Sequence, residues 1–160
     1  MMATPTSNHD RSSAASRPFH RVLVAWDGSP DSVAALKMAA AVTGAEHDQV
    51  VAYAVLPAPP HVEAWRDDAD ELPGPARQVF EAFETTRDAI AATRPVQITL
   101  HTCEDRRIAE SICGYASEHA FDLLVIGRHG NGGVVHPKLG HIAQVAARES
   151  KVPVLLVGGR

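Results

Sequence analysis

The sequence predicts an α/β fold, a parallel sheet with helices on both faces. Two observations carry this. Short apolar runs that end at Asp, Gly or Pro alternate with stretches whose apolar residues recur at helical spacing, in the order β-α-β-α-β-α-β-α-β. Two chemistry-bearing features, Asp27 and the glycine-rich stretch Gly127 to Gly133, stand directly after such runs. Those are strand carboxyl ends, where open α/β sheets bind ligands. A chain of 160 residues with 45% hydrophobic composition suits one domain.

Residues 1–18 are Ser, Ala, Thr and Pro with almost no large apolar side chain. The stretch lacks the apolar core of an export signal and is expected to be a disordered tail. A single domain is expected over 19–160, its folded part running from Phe19 to Gly158. The first run, Arg-Val-Leu-Val-Ala-Trp at 21–26, reads as a buried strand. Asp27-Gly28-Ser29-Pro30 then starts a helix, with Ser29 as N-cap and Pro30 at the first helical position. Asp31 suits the positive end of the helix dipole. Val33, Leu36 and Ala40 continue the helix until Gly44. Gln49 to Leu56 is a second strand, closed by Pro57, Pro59 and Pro60.

His61 to Leu72 is acidic and is expected to be a surface loop. Its Trp65 is either an exposed aromatic or a cap over a site. A helix follows from Pro75 to Thr93, with Ala76, Val79, Phe80, Phe83 and Ile90 on one face. Val96 to His101 alternates apolar and polar residues, the pattern of an edge strand with one wet face. Asp105 is expected to cap the next helix, whose stripe is Ile108, Ile112, Tyr115 and Ala116. Asp122 to Ile126 is a fully buried strand. A helix from Gly140 to Glu149 turns Ile142, Val145 and Ala146 inward, and Pro153 to Val157 is the last strand. Periodicity leaves the strand order open.

The net charge of −4 argues against nucleic acid as a partner, because a phosphate backbone is met by clustered Lys and Arg. No apolar run approaches a membrane span. Two cysteines without C-x-x-C spacing, Cys103 and Cys113, are too few for a disulfide scaffold, so a reducing cytoplasmic setting is expected. Both read as structural, although Arg106 and Arg107 offer Cys103 an electropositive setting. Trp26, Tyr53 and the Phe80–Phe83 pair read as packing.

Glycines after a strand let backbone N–H groups approach an anion, and the next helix N-terminus adds its dipole. An Asp at a strand end can accept hydrogen bonds from a ribose. Each feature has a plain alternative, a flexible connection or a turn. Arg128 and Lys138 can meet a phosphate or remain solvated surface charges. No P-loop, dinucleotide glycine motif, G-x-S-x-G elbow or H-E-x-x-H occurs. His129, His136 and His141 invite a metal reading, but their spacing matches no metal signature and no Cys or carboxylate pair joins them.

Val-Leu-Val-Ala-Trp-Asp-Gly-Ser at the first strand, Asp-Leu-Leu-Val-Ile-Gly-Arg-His-Gly at the fourth and Val-Pro-Val-Leu-Leu-Val at the last together resemble a universal stress protein. The family's ATP motif is Gly, two residues, Gly, nine residues, Gly, then Ser or Thr; Gly127, Gly130 and Gly140 hold that spacing. The resemblance implies strand order 3-2-1-4-5 and a crevice between the first and fourth strands. It places Asp27 at a ribose, Ala25 and Val55 near an adenine, and Gly127, Gly130, Gly140, His141 and Ile142 around the phosphates of ATP. It also implies a homodimer through the last strand, whose apolar run would otherwise be an unpaired edge.

One departure from the family matters. His141 stands where the family has Ser or Thr, and Ala143 replaces a second small hydroxyl residue. Histidine there weakens nucleotide binding, blocks it, or substitutes an imidazolium for the hydroxyl donors. Three functions follow: a stress-response protein binding ATP as a signal or switch, a nucleotide-free dimeric interaction module with His141 filling the phosphate site, and an ATPase or metal-dependent hydrolase. No general base accompanies the phosphate motif, so a binding protein rather than an enzyme is expected.

Overall fold

The computed structural model describes residues 19–43, 47–56, 74–131 and 139–158. The expected N-terminal tail, Gly44, the proline run after the second strand, the acidic stretch with Trp65, Gly132, Gly133, His136 and Lys138 lie outside the described residues.

Among the described residues nine elements alternate: β1 (Arg21–Ala25), α1 (Pro30–Val42), β2 (Gln49–Leu56), α2 (Gly74–Ala91), β3 (Gln97–Glu104), α3 (Ile108–Glu118), β4 (Leu123–Gly127), α4 (His141–Glu149) and β5 (Val154–Val157). The five strands form one parallel sheet in the order β3-β2-β1-β4-β5. The order reverses at β1. Strands β2 and β4 flank it, with Val22 level with both Val50 and Leu123. The crevice at the carboxyl ends of β1 and β4 is therefore the topological switch point.

Successive strand residues face opposite sides, so the sheet divides two cores. Val22 and Val24 pack with Ala35, Leu36 and Ala39 of α1 and with Phe83 and Ile90 of α2. Leu23, Leu124 and Ile126 pack with Ile112 and Ala116 of α3 and with Ala143 and Ala146 of α4. The residues of β4 are buried throughout, as its continuous apolar run requires. Of the expected packing aromatics, Trp26, Tyr53 and Phe83 are buried and Phe80 is half-buried, and Trp26 and Tyr53 each satisfy their polar atom. Trp26 meets Phe83 edge-on at 6.0 Å and donates Nε1–H to Val79 O at 3.1 Å. Tyr53 stacks on Tyr115 at 4.3 Å and donates its hydroxyl to Cys103 Sγ at 2.9 Å. Burial, then the Cys103 bond, pushes the Tyr53 phenol up to about 12.

Two local expectations are corrected. The third strand does not stop at His101. It continues to Glu104, which pairs with Leu56, so Cys103 lies within the strand. Its length follows from its eight-residue partner β2, a long-range cause. Asp105 does not cap α3. The cap position is Arg107, and Asp105 Oδ1 instead accepts the Arg107 N–H at 2.9 Å, closing a turn before the helix. At α1 the capping expectation holds: Ser29 Oγ accepts from Ser32 N at 3.2 Å.

Candidate functional site

A cavity of about 680 Å³ opens at the switch point. That size suits a small organic ligand. The sequence-predicted residues Ala25, Asp27, Val55, Gly127, Gly130, Gly140, His141 and Ile142 all line it. They come from the ends of β1, β2 and β4 and from the first turn of α4.

The β1–α1 turn needs Gly28, which has φ of +77°. This turn sets Asp27 beneath the loop that follows β4. Asp27 Oδ1 accepts from Ser29 N at 2.9 Å, and its Oδ2 accepts from Asn131 N at 2.9 Å. The Asn131 amide donates in return to Asp27 O. Each carboxylate oxygen keeps a second lone pair for a ligand hydroxyl. A second carboxylate holds the same loop: Asp31 Oδ2 faces His129 N at 3.0 Å and His129 Nδ1 at 3.1 Å.

The glycines act through close approach. A Cβ on Gly127 would lie 2.7 Å from Asp31 Cβ and 2.9 Å from the Asp31 carbonyl carbon. One on Gly130 would lie 2.8 Å from Asp27 Oδ2, and one on Gly140 would lie 3.1 Å from Arg128 O. Gly140 N–H donates to Arg128 O at 2.8 Å, which ties the start of α4 to the end of β4. As N-cap of α4, Gly140 offers no side-chain cap, and the first-turn residues His141, Ile142 and Ala143 line the cavity. His141 opens the helix and is exposed at the cavity wall.

Several lining residues were not singled out from the sequence as site residues. Ile108 and Ile112 of α3, Ile126 of β4 and Leu139 supply apolar wall. Ser29 and Ser32 line the opposite side from the start of α1. Ser29 was legible as a helix cap. The apolar residues carried only a core signal, because one face of α3 serves both core and cavity. Of His129, His136 and His141, weighed above as a metal cluster, His136 lies outside the described residues. Among the described residues no group of three or more His, Cys, Asp or Glu could hold a metal ion.

Fold and site together define an α/β domain with a cavity at its topological switch point, and comparison with known proteins assigns its family. The universal stress protein family profile matches residues 18–158, and the chain belongs to that family. It is similar to universal stress protein Rv1636 of Mycobacterium tuberculosis H37Rv, 27% identical over 146 residues, covering 87% of this chain and 96% of the relative. Its fold matches a universal stress protein crystallised in complex with cAMP, at TM-score 0.64 and 22% identity over 89% of this chain and 99% of that one. It also matches a family protein of Arabidopsis thaliana with AMP bound, at TM-score 0.58 and 14% identity over 88% and 92% of the two chains. No helix among the described residues is long and apolar enough to cross a membrane.

Proposed function

We propose that this universal stress protein binds an adenine nucleotide in the switch-point cavity and acts as a ligand-dependent signal or switch rather than by turnover. The observation that carries the reading is the joining of Asp27, the Gly127–Gly130 loop and the uncapped start of α4 around one cavity. Acceptors for a ribose stand at one side and backbone donors for a phosphate at the other. The adenine would lie against Ala25 and Val55. ATP is the ligand that the family motif implies. The AMP and cAMP held by two proteins of the same fold support an adenine nucleotide.

The alternative, a nucleotide-free module with His141 filling the phosphate site, fits the geometry less well. His141 is exposed, and a cavity of about 680 Å³ remains beside it. Mass spectrometry of the purified, denatured protein tests the reading. An adenine nucleotide is expected to co-purify or, after its removal, to bind again in calorimetry; no binding by either route overturns the proposal.

A homodimer through β5 and a cytoplasmic site of action complete the proposal. Strand β5 is at the sheet edge, and all four of its residues are only half-buried. Pairing of two such edges about a two-fold axis would cover them. Cys103 and Cys113 are free thiols, as a reducing compartment favours. Light scattering is expected to give twice the mass of one chain; a monomer at high micromolar concentration refutes the dimer.

A further inference from the structure

Asn131 joins the loop after β4 to the turn after β1, and it spends both of its amides on a single residue. Its backbone N–H donates to Asp27 Oδ2 at 2.9 Å, and its side-chain amide donates to Asp27 O. The two residues are 104 positions apart in the chain. Their approach depends on Gly130, where a Cβ would lie 2.8 Å from the same Oδ2.

The two bonds close a ring that contains both the main-chain carbonyl and the carboxylate of Asp27. The ring therefore fixes the carboxylate relative to its own backbone. Within the β1–α1 turn, Ser29 N–H holds the other oxygen, Oδ1, at 2.9 Å. Both oxygens are thus oriented before a ligand arrives, one from each side of the crevice. Asp27 and Asn131 both line the cavity. The side chain at position 131 must be short and must carry an N–H donor for a main-chain carbonyl. Asparagine meets both requirements, whereas an ionised aspartate of the same shape offers only acceptors.

We infer that Asn131 is a positioning residue for the sugar: by clamping Asp27 from across the crevice, it sets how strongly the site recognises the 2′- and 3′-hydroxyls of a ribonucleotide. The inference rests on the nucleotide reading above and assigns the origin of its sugar specificity. A carboxylate free to turn loses that freedom when it accepts ligand hydroxyls. One already held does not, so the clamp lowers the cost of binding. The gain is confined to the sugar, because base and phosphate lie against other residues in that placement.

The test is calorimetry of the full chain, freed of bound nucleotide, with AMP and 2′,3′-dideoxyadenosine monophosphate. Wild type is expected to prefer AMP by about tenfold or more, the effect of one charge-assisted hydrogen bond. Asn131→Ala removes the side-chain bond and keeps the backbone N–H. Its AMP affinity should fall about five- to tenfold while its affinity for the dideoxy analogue stays as in wild type. Asn131→Asp keeps the shape without the donor. Its added charge weakens both ligands, so the ratio of the two affinities is read, and that ratio should shrink as in the alanine variant. It decides the matter alone if the alanine variant does not fold. An unchanged ratio in the folded variants overturns the inference even where both affinities drop, because a loop that merely loses order weakens both ligands alike. Equal affinity of wild type for the two ligands removes Asp27 from the sugar and overturns the inference as well. If neither ligand binds wild type, the nucleotide reading itself fails and the inference falls with it.

Discussion

Replacing Gly127 with alanine is expected to destabilise the protein by about 1–3 kcal/mol, although only one methyl group is added. The added carbon would lie 2.7 Å from Asp31 Cβ, 2.9 Å from the Asp31 carbonyl carbon and 3.1 Å from Ser32 N. Two of these atoms are backbone in the first turn of α1, and that turn is fixed by the Ser29 cap. Relief requires α1 to move off β4, to which Gly127 belongs. Gly114 offers the control. It lies inside α3, and a Cβ there meets only Glu118 Oε1, at 3.9 Å. Gly114→Ala should stabilise by about 0.5–1 kcal/mol, the helix-interior preference for alanine. The same chemical change therefore has opposite signs at the two positions. Urea unfolding of both variants reads this directly, and a Gly127→Ala midpoint at or above that of wild type contradicts the packing argument.

Gly130→Leu should leave the fold standing and lower nucleotide affinity by roughly a hundredfold, the equivalent of about 2.7 kcal/mol. The position is exposed, so solvent can take the outer part of the side chain. Its Cβ, however, would fall 2.8 Å from Asp27 Oδ2. That oxygen is held by Asn131 N–H while its twin is held by Ser29 N–H, so the carboxylate cannot turn aside without breaking a hydrogen bond. The substitution thus disturbs the proposed ribose acceptor and brings bulk to the cavity wall. Calorimetry with AMP measures the loss. Unchanged affinity in a folded Gly130→Leu protein would falsify the placement of the ligand.

The sequence made one half of this site readable and hid the other for a physical reason. Asp27, Ser29 and the glycine spacing are local signals: a turn, a cap and a strand end announce themselves within a few residues. The alternation of Val96 to His101 likewise revealed an edge strand, and β3 is at the sheet edge. Asp31 was legible only as a charge favourable to a helix start. Its link to His129 spans 98 residues and leaves no local trace. The same applies to the end of β3, which is decided by its register with β2, and to Ile108 and Ile112, whose apolar character serves the core and the cavity alike.

The switch-point geometry also has a consequence for the order of events during folding. Asp27 and Asn131 lie 104 residues apart in sequence, yet their contact closes the site. Strand β1 must wait for β4, which follows α3 in the chain, before the crevice between them exists. Contacts of such separation carry a large loop-closure entropy and are made only when most of the sheet has assembled. A chain still emerging during synthesis can therefore build β1, α1 and β2 but has no competent pocket until β4 and α4 have docked. Any ligand of this pocket recognises only the completed sheet, and by mass action it stabilises that state alone.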